Sequence, residues 1–73
     1  PDMDPARWTE IMTRDFEDFQ SHHKSGLDRY GATNPAEFFA VLSEVFFETP
    51  QKLIEAYPDI YDIMVKFFRQ TPL

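Results

Sequence analysis

Cysteine is absent from this sequence of 73 residues, glycine occurs only twice, and seven basic side chains stand against thirteen acidic ones. Without cysteine the chain has neither a disulfide framework nor a thiolate metal site, which are common supports of small domains. The formal net charge of −6 argues against nucleic acid and an anionic membrane surface as partners. The longest apolar stretches, at 38–42 and 45–47, are far shorter than a membrane span.

Apolar and aromatic residues, in contrast, are plentiful. Hydrophobic residues make up 42% of the chain, and eight residues are phenylalanine. This content is too high for a disordered acidic tail. The length allows one domain, close to the size at which a single core only just offsets conformational entropy.

Proline marks the predicted helix starts. At the first helical position proline loses no useful N–H, and Asp, Asn or Thr before it can cap unpaired amides. The dipeptides concerned are Asp4-Pro5, Asn34-Pro35 and Thr49-Pro50, with Tyr57-Pro58 as a fourth start. The predicted helices span about 5–22, 35–48, 50–56 and 58–70, and a loop of a length that is often functional spans about 21–34. We therefore predict an all-α fold in which three to four helices pack as a small bundle.

The aromatic residues exceed what such a bundle can bury. The second predicted helix is apolar around most of its circumference and should be buried on several sides. Adjacent phenylalanines at 38–39, 46–47 and 67–68 cannot both face one small core. We expect the remaining aromatic surface to cover either another part of the same protein or a partner.

Glu37 has two interpretations. It follows the predicted N-cap Asn34 by three residues, so its carboxylate could reach back to the Asn34 amide in a capping box. It also begins a buried helix, on that helix's narrow polar stripe, directly after a long loop. A carboxylate there is suited to act as the third protein ligand of a catalytic zinc, leaving the fourth position to water.

Tyr30 precedes Glu37 by seven residues, and spacing alone does not decide its role. It could be an aromatic plug packed on the helices. Alternatively, its phenol could donate a hydrogen bond to a developing oxyanion.

Other candidate chemistry is weaker. His22 and His23 are neighbours on a helix and point about 100° apart, so they do not form a chelating face like an i, i+4 pair. Their place at a helix C-terminus suits weakly basic groups near the negative end of the dipole. The sequence contains no nucleophile elbow, no glycine-rich phosphate loop and no HExxH motif.

The segment YGATNPAEFFAVLSEVFFETP, at 30–50, resembles the C-terminal part of the Mlc titration factor A family of zinc-dependent peptidases, of the gluzincin type. The resemblance continues through 57–61 and 67–70 and is plausible from Trp8 onward, although the flanking helices are generic. It implies that Glu37 is the third zinc ligand and that Tyr30 stabilises the transition state. The two histidine ligands and the glutamate general base come from an HExxH helix in that family.

The resemblance also implies aminopeptidase-like activity on peptide substrates, a cytoplasmic location and interaction with the transcriptional repressor Mlc. Because HExxH is missing, we expect the chain to be the C-terminal helical part of a larger metallopeptidase, cut from its HExxH-bearing N-terminal part. Alone it should bind zinc poorly and hydrolyse nothing. The alternative is a non-catalytic helical module that docks a partner through its aromatic surface.

Overall fold

The computed structural model describes residues 4–22 and 26–68, and these form four α-helices with no strand. The helices are α1 (Pro5–Ser21), α2 (Pro35–Glu48), α3 (Pro50–Ala56) and α4 (Pro58–Phe68). The predicted all-α bundle is confirmed. The first helix ends one residue before the predicted 22, because His22 is its extended C-cap. Residues 69 and 70, predicted to continue the last helix, lie outside the described residues.

The prolines begin the helices as the sequence predicts. Asp4 Oδ1 accepts a hydrogen bond from the Ala6 N–H at 3.0 Å, and Asn34 Oδ1 accepts one from the Glu37 N–H at 2.9 Å. Each bond satisfies an amide that has no partner within its helix. The starts of α1 and α2 are therefore fixed by hydrogen bonds between residues close together in the sequence.

The loop predicted between α1 and α2 contains regular structure that the sequence did not indicate. Arg29–Ala32 is a short 3-10 helix, here called the Tyr30 turn. Asp28 caps it, because its Oδ1 accepts a hydrogen bond from the Tyr30 N–H at 2.9 Å. Four residues are too few to show a helical period, so this turn had no signature in the apolar pattern.

Helix α2 is the centre of the bundle and contacts the Tyr30 turn and the other three helices. This position explains why α2 is apolar on most sides. The buried apolar core comprises Ile11, Phe19, Leu27, Phe38, Leu42, Val45, Phe46, Leu53, Tyr57, Ile60, Ile63 and Met64.

The adjacent phenylalanines divide between core and surface. Phe46 is fully buried, whereas Phe47 is 48% exposed. Phe67 is also 48% exposed, and its ring lies 5.2 Å from Trp8 and 5.9 Å from Phe39 between centroids. We call Trp8, Phe39 and Phe67 the aromatic face. What covers this face stays a prediction.

Among the described residues, Asp15 is the only buried charged side chain, at 7% exposure. Burial raises its pKa, and the nearby Asp59 and Asp18 charges raise it further. Arg14 opposes this shift through its Nε, 3.1 Å from Asp15 Oδ1. The raised pKa shows that the folded chain binds the Asp15 proton more tightly than the unfolded chain does.

We expect Asp15→Asn to change how stability depends on pH. Below the ordinary pKa of 3.8 both states are protonated, and Asp15 costs nothing. As the pH rises through the raised folded pKa, the buried carboxylate becomes charged and its contribution to stability falls. Relative to Asp15→Asn, the wild type should therefore lose stability as the pH rises from 3.8 through the raised folded pKa, in urea unfolding followed by circular dichroism.

The control for this prediction is Asp62→Asn, at an exposed carboxylate that lies 3.7 Å from Lys66. The stability of Asp62→Asn should depend on pH in nearly the same way as that of the wild type. Stability curves for the wild type and Asp15→Asn that stay parallel over the whole range would contradict the prediction.

Candidate functional site

Tyr30 and Glu37, the two residues singled out from the sequence, lie together where α2 begins. Tyr30 belongs to the Tyr30 turn and Glu37 to the first turn of α2. A side-chain hydrogen bond with Glu37, reinforced by the charge of that carboxylate, raises the pKa of the Tyr30 phenol above its ordinary value of 10.0. The spacing left the relation of the two side chains open, and the fold places them near enough for the Glu37 carboxylate to affect the Tyr30 phenol.

Their exposure separates the interpretations of Tyr30. Tyr30 is 60% exposed, so it is not a plug packed between helices. Glu37 is half-buried beside it. The pair thus presents a phenol and a carboxylate to solvent from a helix N-terminus, where the dipole favours negative charge.

The capping contact that the structure shows at Glu37 involves its backbone N–H. Asn34 caps α2 through the Glu37 N–H, which is one half of a capping box. The Glu37 carboxylate itself interacts with Tyr30. Capping by Asn34 therefore leaves the Glu37 side chain available for another partner.

The turn that carries Tyr30 is seated closely against α1 and α2. Gly31 is buried, and a Cβ atom added to it would lie 3.3 Å from Phe19 Cε2 and 3.3 Å from Val41 Cβ. Phe19 is fully buried, and Val41 Cβ is held by the α2 backbone, so a methyl group at Gly31 would require these neighbours to shift by a few tenths of an ångström. Glycine lets the turn approach both helices without that shift.

We therefore expect Gly31→Ala to destabilise the protein by about 1–3 kcal/mol, the usual cost of inserting a methyl group into a packed site. Urea unfolding would measure the loss. Thr33→Ala, at an exposed position beside the same turn, is the control and should change stability by less than about 0.5 kcal/mol. A Gly31→Ala protein as stable as the wild type would show that the helices can separate without cost.

Sequence reasoning missed the residues that shape the turn. The Asp28 cap had an available signal, because an Asp two residues before Tyr30 matches an Asx turn. No sequence signal indicated the close packing of Gly31, because Phe19 and Val41 lie twelve and ten residues away along the chain.

Potential metal ligands do not converge in the described residues: no group of three His, Cys, Asp or Glu side chains could hold an ion there. His22 is exposed at the end of α1, with its Nδ1 3.2 Å from Asp18 Oδ1. His23 lies outside the described residues. The described residues therefore do not form a complete metal site, and the role of Glu37 as a ligand stays a prediction.

The fold and site define a small helical segment that presents a tyrosine and a glutamate side by side, and the chain belongs to a metallopeptidase family. The model of the family described as "Glucose-regulated metallo-peptidase M90" matches residues 1–69. The resemblance seen in the sequence is confirmed.

Relatives named Mlc titration factor A are similar to the chain. The protein of Pectobacterium atrosepticum is 46% identical over 56 residues, which are 77% of this chain and 21% of the relative. That of Edwardsiella ictaluri is 49% identical over 49 residues, which are 67% of this chain and 19% of the relative. An uncharacterized protein of Synechocystis is 38% identical over 74 residues, covering 96% of this chain and 27% of the relative.

The chain spans between 19% and 27% of the length of these curated relatives. No solved structure matches it. Within 4–22 and 26–68, no helix has the length and apolar character needed to cross a membrane.

Proposed function

We propose that this chain is the C-terminal part of a zinc-dependent metallopeptidase of the gluzincin type, with aminopeptidase-like activity. Glu37 is the third zinc ligand, and Tyr30 stabilises the oxyanion. The observation that carries the proposal is the placement of Tyr30 and Glu37 on two packed elements at the start of α2, in a chain of the M90 family. The other two ligands and the general base belong to an HExxH helix in a preceding segment.

The chain's own residues support these roles in distinct ways. Asn34 fixes the backbone of Glu37 by accepting a hydrogen bond from its N–H, and the Glu37 side chain is half-buried. The ordinary phenol pKa of 10.0 already keeps Tyr30 protonated at neutral pH, and Glu37 raises that pKa further, so the phenol is in the form that donates a hydrogen bond to an oxyanion. A bound zinc ion supplies polarisation of the substrate carbonyl and a lowered pKa of water.

Zinc affinity tests this proposal. We expect no saturable sub-micromolar zinc binding by the 73-residue chain in calorimetry, because one carboxylate does not hold the ion. Joined to an HExxH-bearing segment, the same chain should bind zinc stoichiometrically. The matched control is the isolated chain with Glu37→Gln, which should give the same weak background as the wild type. Sub-micromolar binding by the isolated wild-type chain would contradict the proposed division of ligands.

The names of the relatives suggest the partner. We propose the transcriptional repressor Mlc as a partner of the whole protein and the cytoplasm as its location. Co-purification with Mlc, and cell fractionation, test the two statements separately.

The second candidate is a non-catalytic helical module that docks a protein partner. It is favoured by the aromatic face and by a depression of about 190 Å³ between α1 and the start of α2. The depression is lined by Met12, Thr13, Phe16, Glu17, Gln20, Pro35 and Phe38. Zinc binding that stays weak after the HExxH segment is added would favour this candidate over the peptidase.

A further inference from the structure

Arg29 joins the Tyr30 turn to the end of α1. Its Nη1 donates a hydrogen bond to the Phe19 carbonyl, and its Nη2 makes a longer contact of 3.4 Å with the Gln20 carbonyl. Its Cζ lies 4.9 Å from the centroid of the Phe19 ring. One guanidinium therefore engages two carbonyls and an aromatic ring of the same helical turn.

The end of α1 needs such a group. The last turn of α1 contains no basic residue, while the carbonyls there carry the negative end of the helix dipole. Asp15 and Asp18 add negative charge to the same half of the helix. Arg29 supplies the cation from outside the helix, so the position of the Tyr30 turn is tied to the capping of α1.

A second hydrogen bond runs in the opposite direction. Gln20 Nε2, on α1, donates to the Ala32 carbonyl at 3.2 Å. The Arg29 and Ala32 contacts therefore hold the turn to α1 on both sides of Tyr30. The Tyr30 side chain is exposed, but the backbone that carries it is anchored at both ends.

We propose that Arg29 is the positioning residue of the candidate site: by clamping the Tyr30 turn to the end of α1, it fixes where Tyr30 stands beside the first turn of α2, which carries Glu37. This inference rests on the proposed function for its catalytic meaning, whereas the clamp itself is a property of the chain. Arg29 does not touch the reacting groups and acts through the placement of Tyr30.

The clamp is tested by NMR on the labelled 73-residue chain, without metal or substrate. The wild type should show nuclear Overhauser effects between the Tyr30 ring and the Glu37 side chain. Arg29→Ala should lose them and increase the backbone motion of Tyr30, while Arg29→Lys restores part of the effect because an ammonium reaches one carbonyl. Unchanged Overhauser effects in a folded Arg29→Ala chain would overturn the proposal.

Two further variants control for failure to fold and for a general loosening of the structure. Arg29→Met keeps packing on Phe19 but has no donor, so it gives the same test if Arg29→Ala does not fold. Arg14→Ala removes a guanidinium that bonds Asp59 Oδ2 at 2.7 Å and Asp15 Oδ1 at 3.1 Å, so it disturbs α1 without touching the turn and should leave the Tyr30–Glu37 effects intact. Equal losses in Arg14→Ala would identify general loosening and refute a specific clamp.

Kinetics of the HExxH-containing protein separate positioning from general support. Arg29→Met should lower kcat by about tenfold with KM unchanged, because a displaced Tyr30 acts in the transition state. In a Tyr30→Phe background the same change should cost nothing more, since the group it positions is gone. A further tenfold loss there would overturn the proposal. Full activity of Tyr30→Phe alone would reject the proposed oxyanion role and leave the NMR result to decide the clamp.

Discussion

Replacing Glu37 by alanine is expected to abolish zinc retention and peptide hydrolysis in the protein that joins this chain to an HExxH segment. The loss of one of three protein ligands leaves the ion with two histidines, so activity should fall by more than about 100-fold. Zinc content after gel filtration and hydrolysis of a short peptide measure the two effects. Folding should survive, because Asn34 caps α2 through the Glu37 backbone, which the substitution keeps.

The control for this experiment is Glu44→Ala, on the same helix and exposed to solvent. It removes an equal charge from α2 and should leave zinc content and activity unchanged. Activity that survives Glu37→Ala would remove Glu37 from the ligand set. Loss of activity in both variants would instead point to the charge of the helix.

Tyr30→Phe is expected to lower kcat by about 100- to 1,000-fold, which is the usual effect of removing one donor to an oxyanion. KM and zinc content should stay close to the wild type, because the hydroxyl is proposed to act on the transition state and not to hold the metal. The substitution keeps the aromatic ring, which is 60% exposed in Tyr30. Steady-state kinetics together with metal analysis provide the measurement.

Tyr61→Phe is the matched control, since it removes a phenol whose ring packs on Phe46 at 5.6 Å between centroids. Its kcat should equal that of the wild type. A loss of less than about tenfold in Tyr30→Phe would show that another group stabilises the oxyanion. The Tyr30 phenol would then lie beside Glu37 without being the main group that stabilises the oxyanion.

The helical framework could be read from local signals. Asp4 and Asn34 each precede a proline and cap the helix that follows, so the starts of α1 and α2 depend on neighbours in sequence. The nearly continuous apolar surface of α2 predicted its central position. The sequence predicts these features correctly because they depend on residues that are close together along the chain.

The candidate site was only partly readable. The family-like segment identified Tyr30 and Glu37, but it did not show how the Tyr30 turn is held. Gly31 fits closely between two helices, and Arg29 reaches the end of α1. Such contacts join residues far apart in sequence, and neither periodicity nor spacing encodes them. The roles of Tyr30 and Glu37 stay predictions, since the partner ligands are not among these residues.

The aromatic face also gives the protein an optical reporter. Trp8 is the sole tryptophan of the chain and lies half-buried, with ring centroids 5.8 Å from Phe39 and 5.2 Å from Phe67. Indole emission shifts with the polarity of its surroundings, so whatever covers this face will change the fluorescence of one known residue. Titration with an HExxH-bearing segment or with a candidate partner then reports contact at this face directly, without any added dye.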